Sequence, residues 1–242
     1  REGSAIITWE DNSQGNWDIS AQKIDSSGHL LWAAAGVVLC NKSTAQKGPK
    51  VISDNMGGAI IVFEDSVNFY WDITAQRINS LGTAMWSTNG VAVCNATNAQ
   101  INSKIDLDGL GGAVFTWQDK RNGVDYDIYA QRFNSYGMAL WATNGVVVCN
   151  ATNMQIGARI EPDGANGALI SWIDKRNGLD YDLYAQRITA AGVAQWSANG
   201  VAVCPATSNQ SGQAMKYLGA NGVIFTWKDF RNGKSELYAP QL

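Results

Sequence analysis

The chain has 242 residues, a formal net charge of −3 and a pI near 5.1, which excludes a basic nucleic-acid surface. Apolar residues at 45% against charged residues at 16% describe a chain with a core to bury and a lightly charged exterior. No apolar run approaches the ~18 residues of a helical membrane span, and 25 glycines, 4 prolines and 10 tryptophans point to β-structure rich in tight turns.

The chain opens on REGSAIITWED, with no Met and no apolar leader, and reads as a processed or excised segment. Its first strand, SAIITWED (4–11), ends at Asp11, and that ending returns at Asp65, Asp119, Asp174 and Asp229, every 54 or 55 residues. Gln22, Gln76, Gln131, Gln186 and Gln241 keep the same interval. So do Cys40, Cys94, Cys149 and Cys204, and Trp32, Trp86, Trp141 and Trp196.

One unit is clearest in the third copy. NSKIDLDG (102–109) reads as a short strand and turn, and GGAVFTWQD (111–119) as a β-rich run. KRNG (120–123) predicts a type I′ hairpin with positive φ at both centres. YDIYAQRF (126–133) alternates, NSYG (134–137) is another turn, and MALW through GVVVC (138–149) forms a fourth segment bent at Asn144-Gly145. Four strands per unit, repeated at this period, predict an all-β fold, a β-propeller of mostly four-stranded antiparallel blades. Second and third strands occur five times, first and fourth strands four times. The chain therefore reads as one propeller domain over 1–242, with five blades and incomplete first and last units. Four blades with an overlapping hairpin, or a piece of a larger ring, are the alternatives.

WQDKRNGVDYDIYAQR (117–132) and WIDKRNGLDYDLYAQR (172–187), each followed by a Trp and an NGV-x-VC segment, resemble repeats of secreted or cell-surface bacterial proteins. The resemblance spans the chain and implies propeller blades and an extracellular location. It implies little about activity, because propellers host enzymes, lectins and scaffolds alike. Units one and two lack the D-x-R-N-G turn, and the last keeps KDFRNG but carries Ser235-Glu236 where the others have Tyr-Asp.

The four cysteines match no zinc spacing, and rotationally repeated copies lie too far apart for disulfides, so each reads as a small buried side chain. Asn41, Asn95 and Asn150 open glycosylation sequons, but Pro205 replaces the fourth, which favours a turn role. The D-x-R-N-G turn is the leading candidate site: Asp119 with Arg121, Asp174 with Arg176, and Asp229 with Arg231. As packing, the Asp fastens the turn and the Arg pairs with a carboxylate in the next blade. As recognition, Arg and Asp bind sugar hydroxyls while Trp17, Trp71, Tyr126 and Tyr181, equivalent in four units, offer stacking faces. Asp119, Asp125 and Asp127 form a weaker calcium alternative, and no other cofactor is indicated.

Catalysis requires residues that differ between blades, and the single histidine, His29, has no nucleophile partner in sequence. The expected function is therefore a non-catalytic secreted or surface module, not an enzyme, that binds a protein partner or another copy of itself. The alternative is a multivalent carbohydrate-binding propeller using Arg121, Arg176 and Arg231 with Tyr126 and Tyr181.

Overall fold

Short apolar runs punctuated by Gly and Asn fold into five antiparallel sheets in the computed structural model, which describes residues 3–67 and 69–239. The innermost strands are β4 (Gln46–Ser53), β8 (Gln100–Leu107), β12 (Gln155–Pro162) and β16 (Gln210–Tyr217). The second strands are β1 (Ala5–Asp11), β5 (Ala59–Val67), β9 (Ala113–Asp119), β13 (Ala168–Asp174) and β17 (Val223–Asp229). The third are β2 (Asp18–Ile24), β6 (Tyr70–Ile78), β10 (Asp127–Phe133), β14 (Asp182–Ile188) and β18 (Glu236–Tyr238). The outer strands are β3 (Val37–Cys40), β7 (Val91–Cys94), β11 (Val146–Cys149) and β15 (Val201–Cys204).

Three sheets have four strands in the order inner to outer; the first lacks an inner strand and the last an outer one among the described residues. Five blades are present, as the repeat predicts, and the four-blade alternative falls away. Gln241, the fifth repeat of the third-strand glutamine, lies outside the described residues. No helix among the described residues is long and apolar enough to cross a membrane.

Inner strands of successive sheets pack on one another, β4 on β8, β8 on β12 and β12 on β16, so they converge at the centre. The core lies between blades. Ile60, Val62, Ile73 and Cys94 of blade two meet Ile105, Phe115 and Trp117 of blade three, and the next gap repeats the arrangement around Trp172. All seven residues of β9 and of β13 are buried, because each sheet is covered on both faces. β1 carries the same kind of sequence, yet Ile7 is 48% exposed, since that strand has no inner strand beside it.

Two local expectations are corrected. The KRNG hairpin is not type I′: only Gly123 has positive φ (78°), and its N–H closes the turn on the Lys120 carbonyl at 2.8 Å. Asn122 instead accepts from the N–H groups of Val124 and Asp125, at 2.8 and 3.2 Å, and that side-chain clamp stabilises a longer loop. The fourth segment is strand only at Val146–Cys149, with Ala139 making an isolated bridge to Phe133. The bend falls at Asn144 and Gly145, φ 61° and 87°. A Cβ at Gly145 would lie 2.6 Å from the Trp117 ring and from the Ala130 carbonyl, so the repeat requires glycine there.

Candidate functional site

The D-x-R-N-G turn closes on itself. Asp119 is fully buried and accepts from the Trp117 indole at 2.7 Å, the Arg121 backbone N–H at 2.8 Å and the Arg121 guanidinium at 2.6 Å. Arg121 also donates to the Asn144 carbonyl at 2.8 Å and lies 3.7 Å over the Tyr129 ring. Arg176 repeats this with Asp174, Asn199 and Tyr184, and Arg231 pairs with Asp229 and covers Tyr238. The arginine thus binds the carboxylate two residues back in its own blade, where the packing alternative had placed the partner in the next blade. Its hydrogen bond is the main reason the Asp229 carboxyl is held far below the usual carboxylate range.

The cysteines complete this cluster from the preceding blade. Cys94 Sγ lies 3.3 Å from Arg121 and 3.8 Å from Asp119, and Cys149 stands likewise between Arg176 and Asp174. All four are free and buried, and burial pushes the Cys94 and Cys149 thiols up to about 12. The sequon asparagines serve the same junctions: the N–H groups of Asn95 and Asn150 donate to Asn144 and Asn199 of the following blade at 3.0 and 2.9 Å. Blade five has no outer strand among the described residues to offer that acceptor, which explains why Pro205 is tolerated.

Asp127 pairs across the strands with Asp119, but its side chain and that of Asp125 share the Asn122 amide at 3.1 and 2.7 Å. Among the described residues, no three acidic, His or Cys side chains gather as a metal site. Burial, then the charge of Asp125, raises the Asp127 carboxyl to about 6; burial and Asp180 do the same at Asp182.

The four aromatics sit at blade junctions on the hairpin face. The carbonyls of Trp17, Tyr126 and Tyr181 each accept from the first N–H of the next inner strand, at 2.7 Å. Lys47 lies 3.8 Å over Trp71, Lys120 5.8 Å over Tyr126 and Lys175 5.4 Å over Tyr181.

The same face holds features the repeat pattern hides. Each inner strand bulges at one place, between Lys47 and Lys50, Ile101 and Lys104, Ile156 and Arg159, and Ser211 and Ala214. The bulges contain Gly48, Asn102, Gly157 and Gly212 at φ 57–67°. Asn102 occupies this left-handed position while its amide donates to Gln118 at 3.0 Å. Bulges re-aim the side chains that follow them. Here those are Lys50, Lys104, Arg159 and Ala214, and two residues on come Ile52, Asp106, Glu161 and Lys216. The first position keeps a cation in three blades and holds Ala214 in blade five, while the second position differs in every blade. Glu161 pairs with Lys216 at 2.6 Å, and burial, then the Glu161 charge, raises the Asp106 carboxyl.

Between blades four and five, this face opens a cavity of about 500 Å³ lined by Tyr181, Phe230, Arg159, Asn209 and Gln213, with the bulge glycines at its wall. Phe230 stands where blades three and four have Lys120 and Lys175. Asn209 accepts from the Tyr181 N–H at 2.9 Å, Gln213 donates to the Gly157 carbonyl at 2.7 Å, and Arg159 Nε donates to the Gln213 carbonyl at 3.2 Å. The Arg159 Nη atoms have no protein acceptor among the described residues. Of the residues predicted from sequence, only Tyr181 lines this cavity. The signal that marks the rest is departure from the repeat, visible in KDFRNG and at positions 159 and 214, where Arg and Ala replace the Lys of positions 50 and 104.

No protein-family model matches the chain, and no curated protein matches its sequence. Its fold resembles that of a protein of unknown function from Dyadobacter fermentans DSM 18053, at TM-score 0.53 and 9% identity over 100% of this chain and 76% of that one. It is also similar to an endo-arabinase from Bacteroides thetaiotaomicron VPI-5482, at TM-score 0.47 and 12% identity over 99% and 89% of the two chains. The catalytic domain of a Coprinopsis cinerea GH62 α-L-arabinofuranosidase gives 0.44 and 10%, over 94% and 81%. At these identities the likeness speaks for the fold. The neighbours with a named chemistry are glycoside hydrolases, and the expectation of a non-catalytic assembly module that is no enzyme is corrected accordingly. The physical reason lies at the centre. The residues that differ between blades are scattered in sequence, and several of them lie on neighbouring inner strands.

Proposed function

We propose that this is a carbohydrate-active propeller that takes its glycan on the hairpin face, in the cavity between blades four and five. The observation that carries the reading is the make-up of that cavity: Tyr181 and Phe230 beside Asn209, Gln213 and Arg159. A sugar ring offers an apolar face to an aromatic side chain and hydroxyls to amide and guanidinium groups, and few convergent polar groups in an apolar cleft are the usual form of a small-ligand site. Arg121, Arg176 and Arg231 do not serve this reading as ligands, since their guanidinium groups are occupied by Asp, Cys and Tyr partners. Their part is to hold the hairpins that carry the aromatics. Secretion or surface display fits a glycan ligand, and the buried, raised thiols are protected in an oxidising compartment.

A glycan array, followed by calorimetry on the hits and a reducing-end release assay, tests the reading. Tyr181→Ala and Phe230→Ala should each weaken binding at least tenfold with the β circular-dichroism spectrum unchanged. No hit across the array and no released sugar would refute it.

A further inference from the structure

The cavity opens beside a group of cations. Lys50, Lys104 and Arg159 follow equivalent bulges on three successive inner strands. None has a carboxylate within 4.0 Å among the described residues, although eleven such pairs occur elsewhere, from His29–Asp25 to Lys234–Glu236. The ammonium groups of Lys50 and Lys104 touch only carbonyls, of Gly48, Pro49, Asn102 and Ser103, at 3.1–3.3 Å. Glu64, the nearby carboxylate, is taken by the Asn102 N–H at 2.6 Å and by Lys47 at 3.6 Å. The next carboxylates down the inner strands, Asp106 and Glu161, answer to Lys216.

Lys104 is half-buried, and burial lowers its pKa, with the charges of Arg159 and Lys50 adding to the effect and that of Glu64 opposing it. Three cations facing the single carboxylate of Glu64 keep a net positive charge, and a bound anion relieves their repulsion. Arg159 belongs to both features: it lines the cavity and leaves its two Nη donors unused, which is the fork that a planar carboxylate fits.

We infer that the glycan recognised here is acidic, a uronate-containing oligosaccharide whose carboxylate is taken by Arg159 with Lys104 and Lys50. The inference rests on the glycan reading above and names its ligand class.

The test compares a galacturonate oligosaccharide with its methyl ester by calorimetry. The ester keeps every ring face and hydroxyl of the acid, removes the charge and adds one methyl group. The acid should bind at least tenfold more tightly at low salt, with the advantage shrinking as NaCl is raised. Arg159→Gln with Lys104→Gln should abolish that advantage while Tyr181→Ala weakens both ligands. Lys104→Met alone, which removes the half-buried charge, should raise the melting temperature and so shows that loss of binding is not loss of fold. Equal affinity for acid and ester overturns the inference and leaves the glycan reading standing. A sulfated, uronate-free glycan binding as tightly as the uronate overturns the carboxylate assignment. Failure of every glycan to bind refutes both.

Discussion

Blades two and three solve one problem in two ways. Each carries a fully buried carboxylate near the end of its second strand, Asp65 or Asp119. In blade three the cation comes from the same hairpin, Arg121 at 2.6 Å. Blade two has no arginine in its hairpin, and its charge comes from the link between blades one and two, where Lys42 reaches Asp65 at 2.5 Å. Blades three, four and five place Ala96, Ala151 and Ala206 at the position of Lys42. From blade two to blade five the cation is exchanged between two places, neither doubled nor lost, while the half-buried Asp11 of blade one has no cation partner among the described residues. What the fold requires there is neutralisation of a buried aspartate, and the shift of the cation from one segment to another is hard to reconcile with a ligand contact fixed in space.

Removing the common element should have the largest effect. Asp119→Ala leaves Arg121 and the Trp117 indole without their acceptor, and breaking a buried pair costs about 3–5 kcal/mol. Urea unfolding of the purified chain reads this directly; a loss under about 1 kcal/mol would show the cluster to be dispensable.

Next comes the exchange itself. Arg121→Ala should lose roughly 2–3 kcal/mol, since Asp119 keeps the Trp117 and backbone donors. Adding Ala96→Lys imports the solution of blade two into blade three and should restore at least about 1 kcal/mol by the double-mutant cycle. A cycle with no coupling would mean that Lys42 and Arg121 are not equivalents.

This comparison also shows what could be read in advance. The period, the five blades, the strand classes and the buried free cysteines are legible because each is stated four or five times, and repetition makes a weak local signal strong. The hairpin geometry is less legible. Asn122-Gly123 looks like a two-residue turn until the Asn side chain is seen to clamp Val124 and Asp125. The central face is least legible, for the opposite reason. Lys104 and Arg159 lie on different inner strands and Phe230 in a hairpin, far apart in sequence, and the convergence of the inner strands brings the first two together. In a repeat protein the regularities announce the scaffold and the exceptions carry the chemistry.

A smaller effect lies in the aspartates beside these hairpins. Asp127 and Asp182 are almost fully buried, with folded pKa values raised to about 6 from 3.8. Their contribution to stability is therefore complete below pH 4 and is lost as pH rises through 6, by about 1–3 kcal/mol per group. Asp127→Asn with Asp182→Asn should flatten the fall in urea midpoint between pH 4 and pH 7, because a neutral amide has nothing to ionise. The wild-type slope persisting in the double variant would assign it to other groups.

The smallest expected change in stability carries the most functional weight. Phe230 is partly exposed and takes the place that Lys120 and Lys175 hold in the hairpins of blades three and four. Phe230→Lys converts the fifth hairpin to the sequence of the third and fourth, DKRNG, and so introduces a side chain the scaffold already accepts twice. Stability should stay within about 0.5 kcal/mol of wild type. Glycan binding should nevertheless fall at least tenfold, since the aromatic wall of the cavity is replaced by a cationic chain. Lys175→Phe is the complementary change. It should build a second aromatic wall beside Tyr126, Lys104 and Gly157, and calorimetry should then count a second site on the same chain. If Phe230→Lys leaves binding intact, the glycan does not sit between blades four and five.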